Sequence, residues 1–130
     1  MATALITGPT AGIGAAFARL LANNNFDLIL VARDKKRLDL TAKSLSKEFG
    51  VKVEVISADL TKATELAKIE RRVANKNKPI EVLINNAGFG LNKSFLTSEV
   101  QIEQELLDVL VTAPMRLTHA VLPMSASLIS

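Results

Sequence analysis

The sequence predicts an α/β fold: a doubly wound parallel sheet of about four strands in the order 3-2-1-4, with helices on both faces. Three observations carry this expectation. Strand-like and helix-like runs alternate four times with no linker, low-complexity tract or charge block between them. A glycine-rich segment, Thr7-Gly8-Pro9-Thr10-Ala11-Gly12-Ile13-Gly14, joins the first strand-like run directly to the first helix-like run. Finally, the second strand is apolar on both faces while the third alternates, which sets one inside the sheet and the other at its edge.

The first strand is the apolar run Ala4-Leu5-Ile6, and the helix after it carries Phe17-Ala18-Arg19-Leu20-Leu21. Between them Gly8 can supply the reversal out of the strand. Gly12 can let backbone approach a pyrophosphate without a Cβ in the way, and Gly14 can let the helix press onto the strand. The start of that helix offers unpaired N–H groups and the positive end of its dipole to phosphates. A glycine pattern of this kind also occurs in tight βα turns that hold no ligand, so other residues must decide.

Leu28-Ile29-Leu30-Val31-Ala32 forms the second strand, and Val51, Val53 and Val55 alternate with Lys52 and Glu54 in the third. Leu38, Ala42, Leu45 and Phe49 make a helical stripe ended by Gly50; Leu66, Ile69 and Val73 make another, ended before Pro79. Ile80, Val82, Leu83 and Ile84 form the fourth strand. The last helix is expected to start at Ser98 in a capping box with Gln101. Its stripe runs through Ile102, Leu106, Val109, Ala113 and Leu117, widened by Leu107, Leu110 and Val111. Pro114 should disturb this helix, because its ring clashes with the Leu110 carbonyl, and Pro123 should end it.

With 130 residues, 48% of them hydrophobic and 22% charged, the chain reads as one folded domain, 1–130, that is shorter than a six-strand doubly wound unit. The net charge of +3 is explained by solvated helix faces such as Lys35, Lys36 and Arg37, and Lys76 and Lys78, which makes nucleic acid an unexpected partner. Zero cysteines excludes disulfides and thiolate metal sites. No run approaches the roughly 18 apolar residues of a membrane span, and Met1 leads straight into the first strand, so the expected compartment is the cytoplasm.

Thr7-Gly8 with Gly12-Ile13-Gly14, then Ala58-Asp59-Leu60 after the third strand, then Asn85-Asn86-Ala87-Gly88 after the fourth, together resemble the successive cofactor motifs of the short-chain dehydrogenase/reductase family. Order, spacing and strand context match across nearly the whole chain. The resemblance implies a Rossmann-like NAD(P)-binding domain and hydride transfer between a nicotinamide and a carbonyl or alcohol carbon. It also implies what is missing. The family's catalytic Ser and Tyr-x-x-x-Lys lie on the fifth strand and the helix after it, and this chain contains no tyrosine. The family's catalytic Asn sits within a run like Asp-Val-Asn-Val-Thr-Ala-Pro, which here reads Asp108-Val109-Leu110-Val111-Thr112-Ala113-Pro114, with Leu110 at the asparagine position. The chain therefore reads as a cofactor-binding half without a catalytic residue.

The expected cofactor residues are Gly8, Thr10, Gly12, Ile13, Gly14, Arg33, Asp59, Leu60, Asn86, Ala87 and Gly88. At the end of the second strand an acid would accept from the ribose 2′-hydroxyl of NAD, but Ala32 is followed by Arg33, whose guanidinium suits a 2′-phosphate. NADP(H) is therefore expected over NAD(H), an ordinary solvated arginine being the plainer reading. Asp34 is expected to cap the next helix. Asp59 accepts from the adenine amino group, as the resemblance implies, or caps the helix near Thr61, and the two roles are compatible; Asn85 and Asn86 either contact ligand or brace the strand ends. His119, the only histidine, is expected on the surface of the last helix, and no metal site is expected. A homodimer is expected, because the fourth strand would lack a neighbour and the last helix has an apolar stripe wider than one sheet face covers.

Overall fold

The alternation of apolar runs is realised as β1 (Thr3–Thr7), α1 (Gly12–Asn23), β2 (Asp27–Ala32), α2 (Lys35–Phe49), β3 (Val53–Ser57), α3 (Ala63–Val73), β4 (Val82–Ile84), α4 (Val100–Leu107), α5 (Ala113–Val121) and β5 (Ser127–Ile129). This is seen in a computed structural model that describes residues 2–90, 93–124 and 127–129. All strands pair in parallel, in the order β3-β2-β1-β4-β5.

Side chains alternate along each strand, so the sheet divides the core in two. Leu5, Ile29, Val31 and Leu83 point to the face covered by α3 and α5, where Leu66, Ile69, Val73, Ala113, Leu117 and Val121 meet them. Ala4, Ile6, Leu28, Leu30 and Ile84 point to the opposite face, against Ala18 and Ala22 of α1 and Leu38 and Leu45 of α2. Arg116 of α5 closes the first layer from outside, its Nε and Nη2 each 3.0 Å from a carboxylate oxygen of Glu70 on α3.

The termini of α2 follow the sequence reading. Asp34 accepts from the Arg37 N–H at 3.2 Å, and Gly50, at φ 70°, ends the helix in the left-handed conformation. The terminus of α4 does not. The expected capping box at Ser98 and Gln101 is absent: α4 begins at Val100 after Glu99, with no side chain capping it. The reason is a preceding turn, in which the Ser94 carbonyl accepts from both Thr97 and Ser98 N–H at 3.1 Å and moves the cap on by one residue, from Ser98 to Glu99.

Pro114 acts as expected, but through a π turn. Asp108–Thr112 has π geometry, and Ala113 N–H donates to the Asp108 carbonyl five residues back. A proline has no N–H to return to Leu110, so the ladder widens just ahead of it. Beyond α5 a 3₁₀ turn at Leu122–Met124 contains Pro123.

One expectation is overturned outright. The fourth strand is not an open edge, because β5 lies beside it in parallel register, Val82 opposite Ser127 and Ile84 opposite Ile129. The unpaired N–H and C=O row of β4 takes up the nearest later segment able to extend, which makes the sheet five-stranded. Ser130 lies outside the described residues. At the other side β3 pairs with β2 alone and is an edge, as its alternating pattern requires. No helix among the described residues is long and apolar enough to cross a membrane.

Candidate dinucleotide site

The carboxyl ends of β1, β2, β3 and β4 open into one groove of about 560 Å³. Gly8 and Thr10 line it after β1, Ala32 and Arg33 after β2, Asp59, Leu60 and Thr61 after β3, and Ala87, Gly88 and Phe89 after β4. Ile102, Glu105 and Val109 of the last helix wall its far side. In open parallel sheets this is where ligands bind, at the point where strand order reverses from β1–β2 to β1–β4.

The glycine turn is held by residues from β4. Thr7, almost fully buried, accepts from the N–H groups of Asn86 and Ala87, both at 3.0 Å, through its hydroxyl. The Asn86 amide donates back to the Gly8 carbonyl at 2.9 Å. Gly8 has φ 68°, and a Cβ there would lie 3.0 Å from Ala87 Cα. Gly14 is needed for packing, because its Cβ would collide with the Gly8 carbonyl and the Asn86 amide. Gly12 is needed for conformation: its φ is 59°, and a Cβ there would meet no protein atom. No side chain caps α1, so its first-turn N–H groups have neither an intrahelical partner nor a capping side chain.

Seven of the eleven expected residues meet in the groove: Gly8, Thr10, Arg33, Asp59, Leu60, Ala87 and Gly88. Gly12, Ile13, Gly14 and Asn86 are not on its lining. Ile13 is largely exposed at the start of α1, and the Asn86 amide is committed to the turn, so the bracing reading of that asparagine holds in this structure. Asn85 likewise reaches protein, its amide 3.5 Å from the Thr118 hydroxyl on α5.

Asp59 forms an Asx turn, accepting from the Thr61 N–H at 2.9 Å and its hydroxyl at 2.7 Å. It is not the cap of α3, which starts at Ala63 after Lys62. Burial pushes the Asp59 carboxyl upward, but the Thr61 hydroxyl and N–H, with the charges of Arg33 and Lys62, outweigh it and hold the group below the usual carboxylate value. His119 is exposed on α5, as expected.

The sequence reading missed Arg37, Thr61 and Glu105. Arg37 lines the groove and donates from Nη2 to the Thr10 carbonyl at 3.3 Å, although its run of basic residues reads as a solvated helix start. Its place in the first turn of α2, just beyond the end of β2, was the available signal. Thr61 stands at the i+2 position of an Asx turn, and Glu105 lies on the helix face shared by Ile102 and Val109. Leu110, half exposed, packs over the strand end so closely that a Cβ on Gly88 would lie 3.0 Å from its Cδ2.

A parallel sheet with a glycine turn between β1 and α1, opening on such a groove, defines a dinucleotide-binding domain. The chain belongs to the short chain dehydrogenase family, whose model matches residues 2–127. An uncharacterized oxidoreductase of Staphylococcus saprophyticus is 31% identical over 120 residues, 92% of this chain and 51% of that protein. Human inactive hydroxysteroid dehydrogenase-like protein 1 is 30% identical over 122 residues, 92% of this chain and 37% of that protein. Among solved structures, a short-chain dehydrogenase from Sphingobium yanoikuyae in complex with NADPH superposes with a TM-score of 0.90 at 43% identity, covering 95% of this chain and 48% of that one. The chain thus spans about a third to a half of the length of these relatives.

Proposed function

We propose that the chain is the NADP(H)-binding portion of a short-chain oxidoreductase. The observation that carries the preference is Arg33, exposed in the groove at the end of β2, where an acid would be required to bind the ribose diol of NAD. The Sphingobium relative in complex with NADPH supports the same reading. In it the N–H groups at the start of α1, those of Gly12, Ile13 and Gly14, receive the pyrophosphate, and the Gly8–Thr10 turn supports them. Arg33 receives the 2′-phosphate, Asp59 and Leu60 face the adenine, and Asn86 holds the strand end at which Ala87 and Gly88 leave clearance for the second ribose.

The nicotinamide, when bound, supplies or accepts a hydride. This chain's residues bind and orient it, but the chain has no tyrosine and Leu110 occupies the asparagine position, so the family's proton-delivering groups are not among them. General acid–base help of that kind is worth about 10²–10⁴-fold in rate. The chain alone is therefore inactive in this reading, and turnover depends on catalytic residues from elsewhere. A second reading, a non-catalytic NADP-binding module, is favoured by Leu110 and by similarity to a human protein described as inactive. In either case the exposed Leu107, Leu110, Val111 and Met115 support a homodimer through the last helix.

Calorimetric titration of NADPH and NADH against the wild type and Arg33→Ala tests the proposal. NADPH is expected to bind more tightly, with the difference lost in the variant. Equal affinities in the wild type would overturn the preference.

A further inference from the structure

We propose that the outer face of α3 and the turn after it form a basic ridge, made by Lys68, Arg71, Lys76 and Lys78, that holds the domain on the surface of an anionic lipid bilayer without inserting into it.

Residues 62–78 hold six of the sixteen basic residues of the chain and only two acids, Glu65 and Glu70. Thr64, Lys68 and Arg71 recur at i, i+4 and i+7, opposite the stripe of Leu66, Ile69 and Val73 that faces the sheet, so both cations are exposed. A turn adds the other two. The Asn75 carbonyl accepts from the Lys78 N–H at 3.2 Å, and the Asn75 side chain accepts from the Asn77 N–H at 2.9 Å. Arg72, whose side chain is only 13% exposed, pins that turn to the helix by donating from Nη1 to the Lys78 carbonyl at 2.9 Å. Lys76 and Lys78, solvated positions in the sequence, thus stand at a fixed place beside the end of α3.

The neighbouring acids are engaged elsewhere. Glu54 pairs with Arg72, and Glu70 with Arg116. Glu65 accepts from the Asp59 N–H at 2.9 Å, and Glu81 from the Thr3 N–H at 2.6 Å. All four ridge cations are exposed, and none of them forms an ion pair among the described residues.

The kind of partner follows from what accompanies the charge. Between positions 62 and 79 no described residue presents a large apolar side chain to solvent, so the ridge lacks the apolar centre of a specific protein interface. That stretch also contains no aromatic residue on which a base could stack. Charge complementarity without either fits a sheet of anionic phospholipid headgroups, which attracts clustered Lys and Arg within a Debye length. The ridge lies at the amino ends of the strands, since α3 runs back from the end of β3 to the start of β4. The dinucleotide groove is at the opposite ends, and it stays open to solvent when the ridge is seated.

The test is cosedimentation with phosphatidylcholine vesicles, with and without phosphatidylserine, at low and high salt. The wild type is expected to bind only the vesicles that contain phosphatidylserine, and to leave them at high salt. Lys68→Gln with Arg71→Gln, or Lys76→Gln with Lys78→Gln, should lower the partition about thirtyfold, at about fivefold for each cation near the surface. Lys43→Gln with Lys47→Gln removes the same charge from the exposed side of α2, and should lower it by less than about threefold, those groups lying farther off than a Debye length. Circular dichroism checks that each variant is folded. A wild type that ignores phosphatidylserine overturns the inference, and so do equal losses in all three double variants, which would make net charge the cause. Binding that persists at high salt would instead assign the contact to exposed apolar residues such as Phe95 and Leu96. Binding of duplex DNA in preference to the vesicles, lost in the same ridge variants, would make the ridge a nucleic-acid surface and overturn the lipid assignment.

Discussion

The Asn86 side-chain amide holds the Gly8 carbonyl at 2.9 Å, across 78 positions of sequence, and Gly14 passes so close that it can carry no side chain. Three residues from two strand ends and one helix thus form a single joint, which sets where α1 begins and which way its N–H groups face.

That joint predicts an order of stability losses. Gly14→Ala forces α1 away from β1 and should cost about 1–3 kcal/mol or more, the range of overpacked sites. Asn86→Ala leaves the Gly8 carbonyl without its donor, for about 1–3 kcal/mol. Gly12→Ala meets no atom but holds a left-handed backbone, at about 1–2 kcal/mol. Denaturant unfolding of the three variants checks the mechanism: a Gly14→Ala protein as stable as wild type would refute the close approach.

Asp59 predicts an acid dependence. Its folded value lies below the ordinary 3.8, so its contribution to stability is complete above about that pH and is lost as pH falls through the folded value. Asp59→Asn and Thr61→Val should both flatten the acid limb of a stability-against-pH curve and leave the neutral region parallel to wild type. Curves that diverge instead above pH 6, roughly two units clear of the ordinary value, would rule out the Asx turn as the cause.

Catalysis by the isolated chain is expected to be absent. NADPH consumption followed by nicotinamide absorbance, with a panel of aldehydes and ketones, should stay at the rate without protein, and Leu110→Asn should not raise it because the tyrosine is still lacking. Turnover that survives stringent purification and disappears in Gly14→Asp would show that another group supplies the proton.

Self-association is expected through the helix and no longer through β4, which β5 occupies. Leu107, Val111 and Met115 recur at i, i+4 and i+8, with Leu110 beside them, and each is at least half exposed. A specific interface buries about 800 Å² per partner, and this face provides its apolar centre. Light scattering should give a dimer mass for the wild type and a lower mass for Leu107→Glu, with the far-ultraviolet circular dichroism unchanged. A folded wild-type monomer at tens of micromolar would remove the proposal.

Local signals by themselves determined the βα alternation, the 3-2-1-4 strand order, the edge position of β3 and the cap at Asp34, because each follows from side-chain periodicity or from one residue's preference within a few positions. The resemblance to the family's cofactor motifs supplied eleven candidates, of which seven line the groove, since strand ends in a parallel sheet all point one way. Only the tertiary structure decided the rest. Whether Asn86 faces ligand or protein depends on where Gly8, 78 residues away, presents its carbonyl. Whether Arg37 is solvated or belongs to the groove depends on a turn 27 residues earlier, and pairing of β5 with β4 depends on an edge created far back in the chain. The missed capping box at Ser98 has a nearer cause, a competing turn on Ser94 that takes the N–H the motif would need. In each case a polar group had more than one partner within its chemical reach, and only the packing of the layers chose between them.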